Sequence, residues 1–500
     1  MTGSEEASDG SRVRLKAINR QQLVLRPVDV EKLIEEDHPA RAIWELAGQL
    51  DLSRFYASIQ VVEGEAGRSA TAPRLLISLW LYAYSCGVSS ARELSRLCQY
   101  EPACQWLTGM EVINHHTLSD FRVAHQEALD DLFTQLLGVL SAAGLITLEQ
   151  VMHDGTKVRA NAGVDTFRRE ERLRAHLEAA RQQVEAMGDP RSEEVTKRVA
   201  AARQRALRER RTRLEEALKQ LEAIRAAKAD EEAKQQARAS MTDPHARVMK
   251  QPDGGYAPSY NVQVSTDGAA GAIVAVGVTQ AGSDYRELEP GVERVEKNLG
   301  CAPKQMVVDG GFVSRENILA LDEKHIELVG PLEEGRAQSA GQMQRRGVAT
   351  EFYPEAFTYD AGTDTYTCPA GKTLCHAGNE KRIGQVIHHY RARGADCQAC
   401  LFKQRCCPTA AAKGRTLSRR VDAPVVSAFL ARMQTEEAKA IYRRRGPVAE
   451  FSNLWIKAKL GLRQFRLRGL VKVGIEAVWA CLTYNVQLWI RLRWRLQWAT

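Results

Sequence analysis

The stretch "VMHDGTKVRANAG", residues 151–163, sets an aspartate and a glycine directly after a short apolar run, with Lys157 and Arg159 beside them. With the residues before it, "LITLEQVMHDGTKVRANA" is rich in β-branched and alternating positions and reads as a strand pair turning at Asp154-Gly155. Asp309 in "VVDGGF" repeats the setting: an apolar strand, then Asp, then Gly. Alone, each Asp-Gly is a tight turn. Paired on neighbouring strands, the two aspartates could share a divalent cation, because hard cations take oxygen ligands and keep few protein carboxylates. A third acid stands at Glu450 in "YRRRGPVAEFSNLWIKAKLG". Gly446-Pro447 reads as a helix break after Arg445, which puts Glu450 in the first turn of the next helix. Lys457 lies two turns on, and Lys459, Arg463, Arg466 and Arg468 follow, more positive charge than one carboxylate balances.

The flanking sequence alternates strand and helix signals. "YNVQVSTDGAAGAIVAVGVTQ" gives two alternating runs around an acidic turn, and a helix follows from about Glu287 to Leu299. "QMVVDGGFVS" is a strand, "SRENILALDEKH" a helix capped by Ser314, and "IELVGPL" another strand. This order describes a mixed α/β sheet covered by helices. Residues 36–140 show apolar positions at three- and four-residue spacing and read as all-helical. Ser89 or Ser90 can cap one of these helices and Thr117 or Ser119 the next. Two short helices joined through "MEVINHHT" fit either plain helical packing or a helix-turn-helix-like unit. The second reading presents His116, Thr117, Ser119 and Arg122 to DNA. Residues 165–240 carry Leu173, Leu177, Ala180, Val184 and Met187 in a 4-3-4-3 seam. After "GDP" at 188–190 the seam resumes at Leu207, Leu214, Leu218 and Leu221, as in an inserted coiled-coil helical hairpin with a solvated charged face.

The chain has 500 residues, enough for about two to four domains, with a charged and apolar content ordinary for a soluble globular protein. Its +8 formal charge is unevenly spread. Residues 410–500 hold 18 Lys/Arg against 5 Asp/Glu, which leaves the rest of the chain mildly acidic. A basic end on an acidic body suggests a polyanionic partner, with a solvated surface as the bland alternative. "MTGSEEASDGSR" is polar and acidic, unlike a secretory signal, and residues 1–35 read as disordered. "LLISLWLYAYSCGV" is too short for a membrane span, and "LVKVGIEAVWACLTYNVQLWI" is interrupted by Lys472, Glu476, Asn485 and Gln487. Both read as buried helices, so no membrane partner is expected. Eleven cysteines, an odd number, suit a reducing cytosol. Six fall in the turn-rich segment 350–412. There Cys397-x2-Cys400 with Cys368 and Cys406 makes the preferred tetrahedral Zn²⁺ set, and Cys375 or His376 could join the Cys368 knuckle. A reduced loop without metal is the alternative.

Taken in order, these pieces resemble the transposases of bacterial insertion sequences with a DDE triad. The resemblance covers "HHTLSDFR", "HDGTKVRANA", "DPHARVMK", "GGYAPSYNVQVSTD", "VVDGGF", "EFSNLWIKAKLGLRQFRLRG" and the "YN" at 484–485. It implies an RNase H-like catalytic core built from residues 141–164, 241–345 and 415–490. The remaining divisions are a helical DNA-binding domain at 36–140, the hairpin insertion at 165–240 and the cysteine-rich insertion at 350–412. It implies Asp154, Asp309 and Glu450 as the triad holding two Mg²⁺ ions, with Mn²⁺ as a substitute in vitro. The family's Tyr-Arg-Glu-Lys signature falls on Tyr442, Arg445, Glu450 and Lys457, with one more residue between Arg and Glu than the commonest form. Those cations, with Lys157, Arg159, Lys459 and Arg463, would hold DNA phosphates. The implied activity is cleavage at element ends and joining to target DNA. Alternatives are a silent DNA binder or a nuclease without strand transfer. The implied partners are double-stranded terminal repeats and target DNA, with a homodimer in the bacterial cytoplasm at the nucleoid.

Overall fold

The computed structural model describes residues 19–23, 25, 27–61, 69–186, 197–332, 336–408 and 414–498. The acidic opening segment, Met187 and the "GDP" break lie outside them. At the centre is a mixed sheet whose five main strands are β1 (Val151–Arg159), β2 (Tyr256–Asp267), β3 (Ile273–Thr279), β4 (Gln305–Val307) and β5 (Glu327–Val329). Their spatial order is β3-β2-β1-β4-β5. The first three are antiparallel, with Asp154 opposite Val264, while β4 runs parallel to β1 and β5 parallel to β4. A short strand, Arg247–Lys250, pairs with the start of β2.

β1 does not turn at Asp154-Gly155. It runs straight through, and Gly155 serves another purpose: a Cβ there would lie 2.3 Å from Asp284 Oδ1 and 2.7 Å from Gln263 Nε2. The glycine makes room for a distant carboxylate rather than for a bend. The turn between β2 and β3 and the Ser314 cap, which accepts from Asn317 N, are as the sequence reads.

The helix Leu470–Leu492 is buried on nearly every side. A helix apolar all round needs cover all round, and its few polar side chains are bonded. Glu476 accepts from Arg466 N and Leu467 N, and Thr483 donates to Trp479 O at 2.8 Å. Asn485 accepts from Ile273 N at 2.9 Å and donates to Ile273 O at 2.7 Å, closing the end of β3. On its other side lie the helices Pro73–Ser85 and Gln126–Ala142. One continuous apolar cluster therefore runs from Ala40 through the sheet to Trp494, and the helical N-terminal region shares its core with the sheet. Among the described residues no helix is long and apolar enough to cross a membrane. In the N-terminal region Ser90 caps Ala91–Tyr100, but Asn114, not Thr117 or Ser119, caps His115–Ala124. Asn114 sits one residue before the helix, where its side chain reaches His116 N.

Helices Glu170–Ala186 and Lys197–Ala226 lie antiparallel. Leu173, Leu177 and Ala180 meet Leu214, Ala217 and Leu221, and Glu170 pairs with Arg225 at the root. The cysteine-rich segment is more ordered than turns. Strands Thr358–Asp360, Thr365–Thr367, Thr373–Arg382, Gln385–Ala392 and Thr416–Asp422 form a second, antiparallel sheet around Leu374, Tyr390 and Leu417. The last strand, expected in the central core, belongs here. The helix break expected at Gly446-Pro447 is also absent. After Glu436–Arg443 the backbone stays helical through a π turn, Gly446–Glu450, into Phe451–Ala458.

Replacing Asn485 by alanine leaves the amide and carbonyl of Ile273 unpaired in the core. The expected loss is about 2–4 kcal/mol of unfolding free energy, measured by urea denaturation.

Candidate active site

β4 pairs with β1 only at Val151 and Met152, and the next backbone bonds on that edge join Arg159 to Arg463 and Phe465. Between them the edge of β1 is open, and Asp154 sits in that gap. Alternation along the strand sets Met152 and Asp154 on one face. Met152 packs there with Val307, Val329 and Ala449. Asp309 follows β4 by two residues, where its Oδ1 accepts from Gly311 N at 2.9 Å. The charge of Asp309 reaches Asp154. Burial, with Asp309 adding to it, pushes the Asp154 carboxyl up to about 6, against the opposing pull of Arg445.

The helical segment beyond Pro447 supplies the rest. Arg445 Nη1 lies 3.5 Å from Asp154 Oδ1, and Asn453 Nδ2 donates to Asp154 Oδ2 at 3.0 Å. Lys457 is within reach of the Asp154 charge, and burial lowers its pKa. Glu450 sits between Arg445 and Asn453 on this segment, and its π turn packs against β1 and β2. Its side chain is exposed and carries no hydrogen bond or ion pair among the described residues. Arg445 and Glu450 are five residues apart, the i→i+5 period of a π turn. The residue that the signature has in excess is absorbed by the wider turn, and the two side chains stay one turn apart.

Other expected positions divide. Lys157 points to the opposite face from Asp154, with its Nζ 3.5 Å from Asp284 Oδ2. Arg159, Lys459 and Arg463 are exposed. Tyr442 packs into the apolar cluster under the site. His116 and Thr117 are exposed on their helix and Ser119 is half-buried. Arg122 is not a surface residue: it is 5% exposed, donates to Ser89 O and lies 4.7 Å over the Trp80 ring. A guanidinium spent on a core carbonyl and an aromatic face cannot read a base, and that expectation is corrected. Asn453 and Asp284 were not singled out by sequence. Asn453, three residues after Glu450, carried a helical-spacing signal; Asp284, in a loop after β3, carried none.

Among the described residues no three His, Cys, Asp or Glu side chains form a group that could hold a metal ion as they stand. The donor types are nonetheless those a hard cation takes: the Asp154 carboxylate, the Asp309 carboxylate whose charge reaches it, and a third on the adjoining helical turn. Cys368, Cys397, Cys400, Cys406 and Cys407 line one small cavity in the second sheet. Backbone amides point at two of the sulfurs, Lys372 N to Cys368 Sγ at 3.3 Å and Arg415 N to Cys397 Sγ at 3.4 Å. Burial, with neighbouring Cys407, Cys397 and Cys368 adding to it, pushes the Cys406 thiol up to about 12.

Fold and site together define a class: a mixed α/β protein with one aspartate on an open central strand, a second just beyond the neighbouring strand, and a helix bearing Arg445 and Lys457 across the first. The family described as "Transposase DDE domain" matches residues 367–489, which hold Glu450 and the cysteine cavity but neither aspartate. The family described as "Transposase domain (DUF772)" matches residues 28–124 in the helical region. No curated protein matches the chain. The two matched stretches are similar to transposase domains, which supports a DDE-type transposase.

Gly155→Ala would drive a methyl into Asp284, which Asn261 and Gln263 hold at 2.6 and 2.7 Å. We expect a destabilisation of roughly 1–3 kcal/mol in a denaturant melt.

Proposed function

We propose that this protein is a DNA transposase that cleaves the ends of an insertion sequence and joins them to target DNA. The observation that carries the proposal is Asp154 on the open edge of β1, where the charge of Asp309 reaches it and the helical turn bearing Glu450 packs against the same strand. The strand order β3-β2-β1-β4-β5, three antiparallel strands followed by two parallel ones, supports an RNase H-like core. In this reading Asp154, Asp309 and Glu450 hold Mg²⁺, or Mn²⁺ in vitro. Bound there, the ions would activate an attacking oxygen and stabilise the leaving one.

The chain's own residues prepare the site. Asn453 and Arg445 fix the orientation of Asp154, so its carboxylate meets a ligand already aimed. Glu450 completes the set by a side-chain rotation from solvent. Lys457, with Arg445, would hold the phosphate beside the reacting bond, and exposed Arg159, Lys459 and Arg463 its neighbours along the strand. Terminal-repeat reading is assigned to exposed His116 and Thr117, with half-buried Ser119 beside them. Lys157, committed to Asp284, and Tyr442, packed in the apolar cluster, act by supporting the site's walls. Two ends must be brought together, so a homodimer acting at the nucleoid is part of the proposal.

The test is a cleavage and strand-transfer assay with Mg²⁺ on a duplex carrying the repeats that flank the coding region. Alanine at Asp154, Asp309 or Glu450 should lower cleavage by at least about 10²–10³-fold, the scale for removing one electrostatic interaction with the transition state, and leave end binding intact. Three variants that still cut refute the assignment. Wild-type binding without cutting indicates the silent binder, and cutting without joining the nuclease.

The cysteine cavity supports a structural Zn²⁺ on Cys368, Cys397, Cys400 and Cys406, since amide–sulfur bonds stabilise thiolates and a cation relieves their crowding. Elemental analysis of purified protein should find about one zinc per chain, lost in Cys397→Ser and Cys400→Ser. A zinc-free wild type with an unchanged melt refutes it.

A further inference from the structure

We propose that a cleft between the helical hairpin and the C-terminal basic segment holds the backbone of a DNA duplex flanking the reacting bond. The inference rests on the transposase reading and assigns it a second surface. The cleft has a volume of about 1050 Å³ and draws its walls from five separate stretches of the chain. Arg205, Arg208 and Arg213 come from the helix Lys197–Ala226. Arg466, Arg468 and Lys472 come from the C-terminal segment, and Arg92 closes one end. The carboxylates in the lining are Glu209 and Glu216, and Glu216 already faces His245 at 3.4 Å.

A solvated helix face scatters its charges; this one gathers them. The hairpin's other ion pairs lie elsewhere, Arg181 and Arg211 with Glu215 and Arg225 with Glu170. Arg205 and Arg208 are exposed and carry no ion pair among the described residues. Like charges brought together from separate elements repel, and a polyanion relieves the repulsion while releasing its own counterions.

The cleft is also held in place. Gln220 ties the hairpin to the sheet side by accepting from Arg247 at 2.5 Å and from Gln280 at 3.3 Å. On the floor, Asn161 donates to Arg466 O at 2.7 Å and accepts from Arg468 Nε, through its carbonyl, at 3.0 Å. Asn161 lies just beyond the end of β1, the strand that carries Asp154. Seven residues of extended chain reach about 23 Å at most. At about 3.4 Å per base pair, the near edge of the cleft at Asn161 falls within roughly seven base pairs of the bond facing Asp154. The hairpin then serves as a clamp on the duplex.

The experiment uses the full chain and a 30-base-pair duplex of arbitrary sequence, with affinity followed by fluorescence anisotropy over a salt series. Arg205→Ala/Arg208→Ala should flatten the slope of log affinity against log salt by about 1.8, or about 0.9 for each phosphate no longer neutralised. Arg205→Lys/Arg208→Lys should keep the wild-type slope, because charge and not shape is at work. Equal melting temperatures exclude a folding effect, since both side chains are exposed. An unchanged slope in the alanine variant overturns the clamp while leaving the transposase reading in place. A wild type without salt-dependent duplex binding overturns the transposase reading itself.

Discussion

A helix with apolar side chains on every face can exist in water only if other elements enclose it, and Leu470–Leu492 imposes that requirement on the whole molecule. The N-terminal helices cover one side and β3 another. Its polar residues are the couplings. Asn485 satisfies the backbone of β3 and Glu476 that of the segment at 466–467. Trp479 Nε1 donates to Arg122 O, across to the N-terminal helices. Glu476 is a buried acid whose pKa burial raises, opposed first by the charge of Arg122 and then by the backbone amides it accepts from. The two regions matched by transposase families therefore meet around one helix rather than hanging on a linker.

That enclosure fixes the angle at which the preceding segment crosses β1. The π turn at Gly446–Glu450 then decides which side chains face Asp154. Pro447 has no amide to give, and in a regular α-turn its ring would crowd the carbonyl four residues back; the wider π turn falls at this point. The result is a single helical run that offers Arg445, Asn453 and Lys457 to one carboxylate. Ser452 fastens the same run to β2 through Thr266 at 3.0 Å. An aspartate so supported is a rigid ligand, which is the property a site needs when its chemistry depends on geometry.

Much of this was legible in the sequence where the cause was local. Period-two alternation marks β2 and β3, Ser314 caps its helix, and the apolar run before each aspartate marks β1 and β4. The misreadings share a tertiary cause. Asp154-Gly155 has the composition of a turn, yet Gly155 answers to Asp284, far away in sequence. Gly446-Pro447 has the composition of a helix stop, yet the packing of Ala449 against Met152 holds the helix through it. The second sheet escaped notice because its strands are polar on both faces and its core is little more than Tyr390, Leu374 and a few neighbours. Arg122 looked like a surface cation because spacing says nothing about a carbonyl and an indole waiting in the core.

The position of the acids follows from electrostatics more than from sequence. Burial and the Asp309 charge already raise the cost of ionising Asp154 at the edge of β1, against the pull of Arg445. A third turned inward without a cation would add a further like charge to a half-buried site. Glu450, on a flexible side chain at the surface of the turn, avoids that cost by facing solvent. Its backbone is nonetheless fixed against β1 by the same π turn that places Arg445. The arrangement separates two demands that conflict in an acidic site. The backbone is held against β1, while the Glu450 side chain stays in solvent.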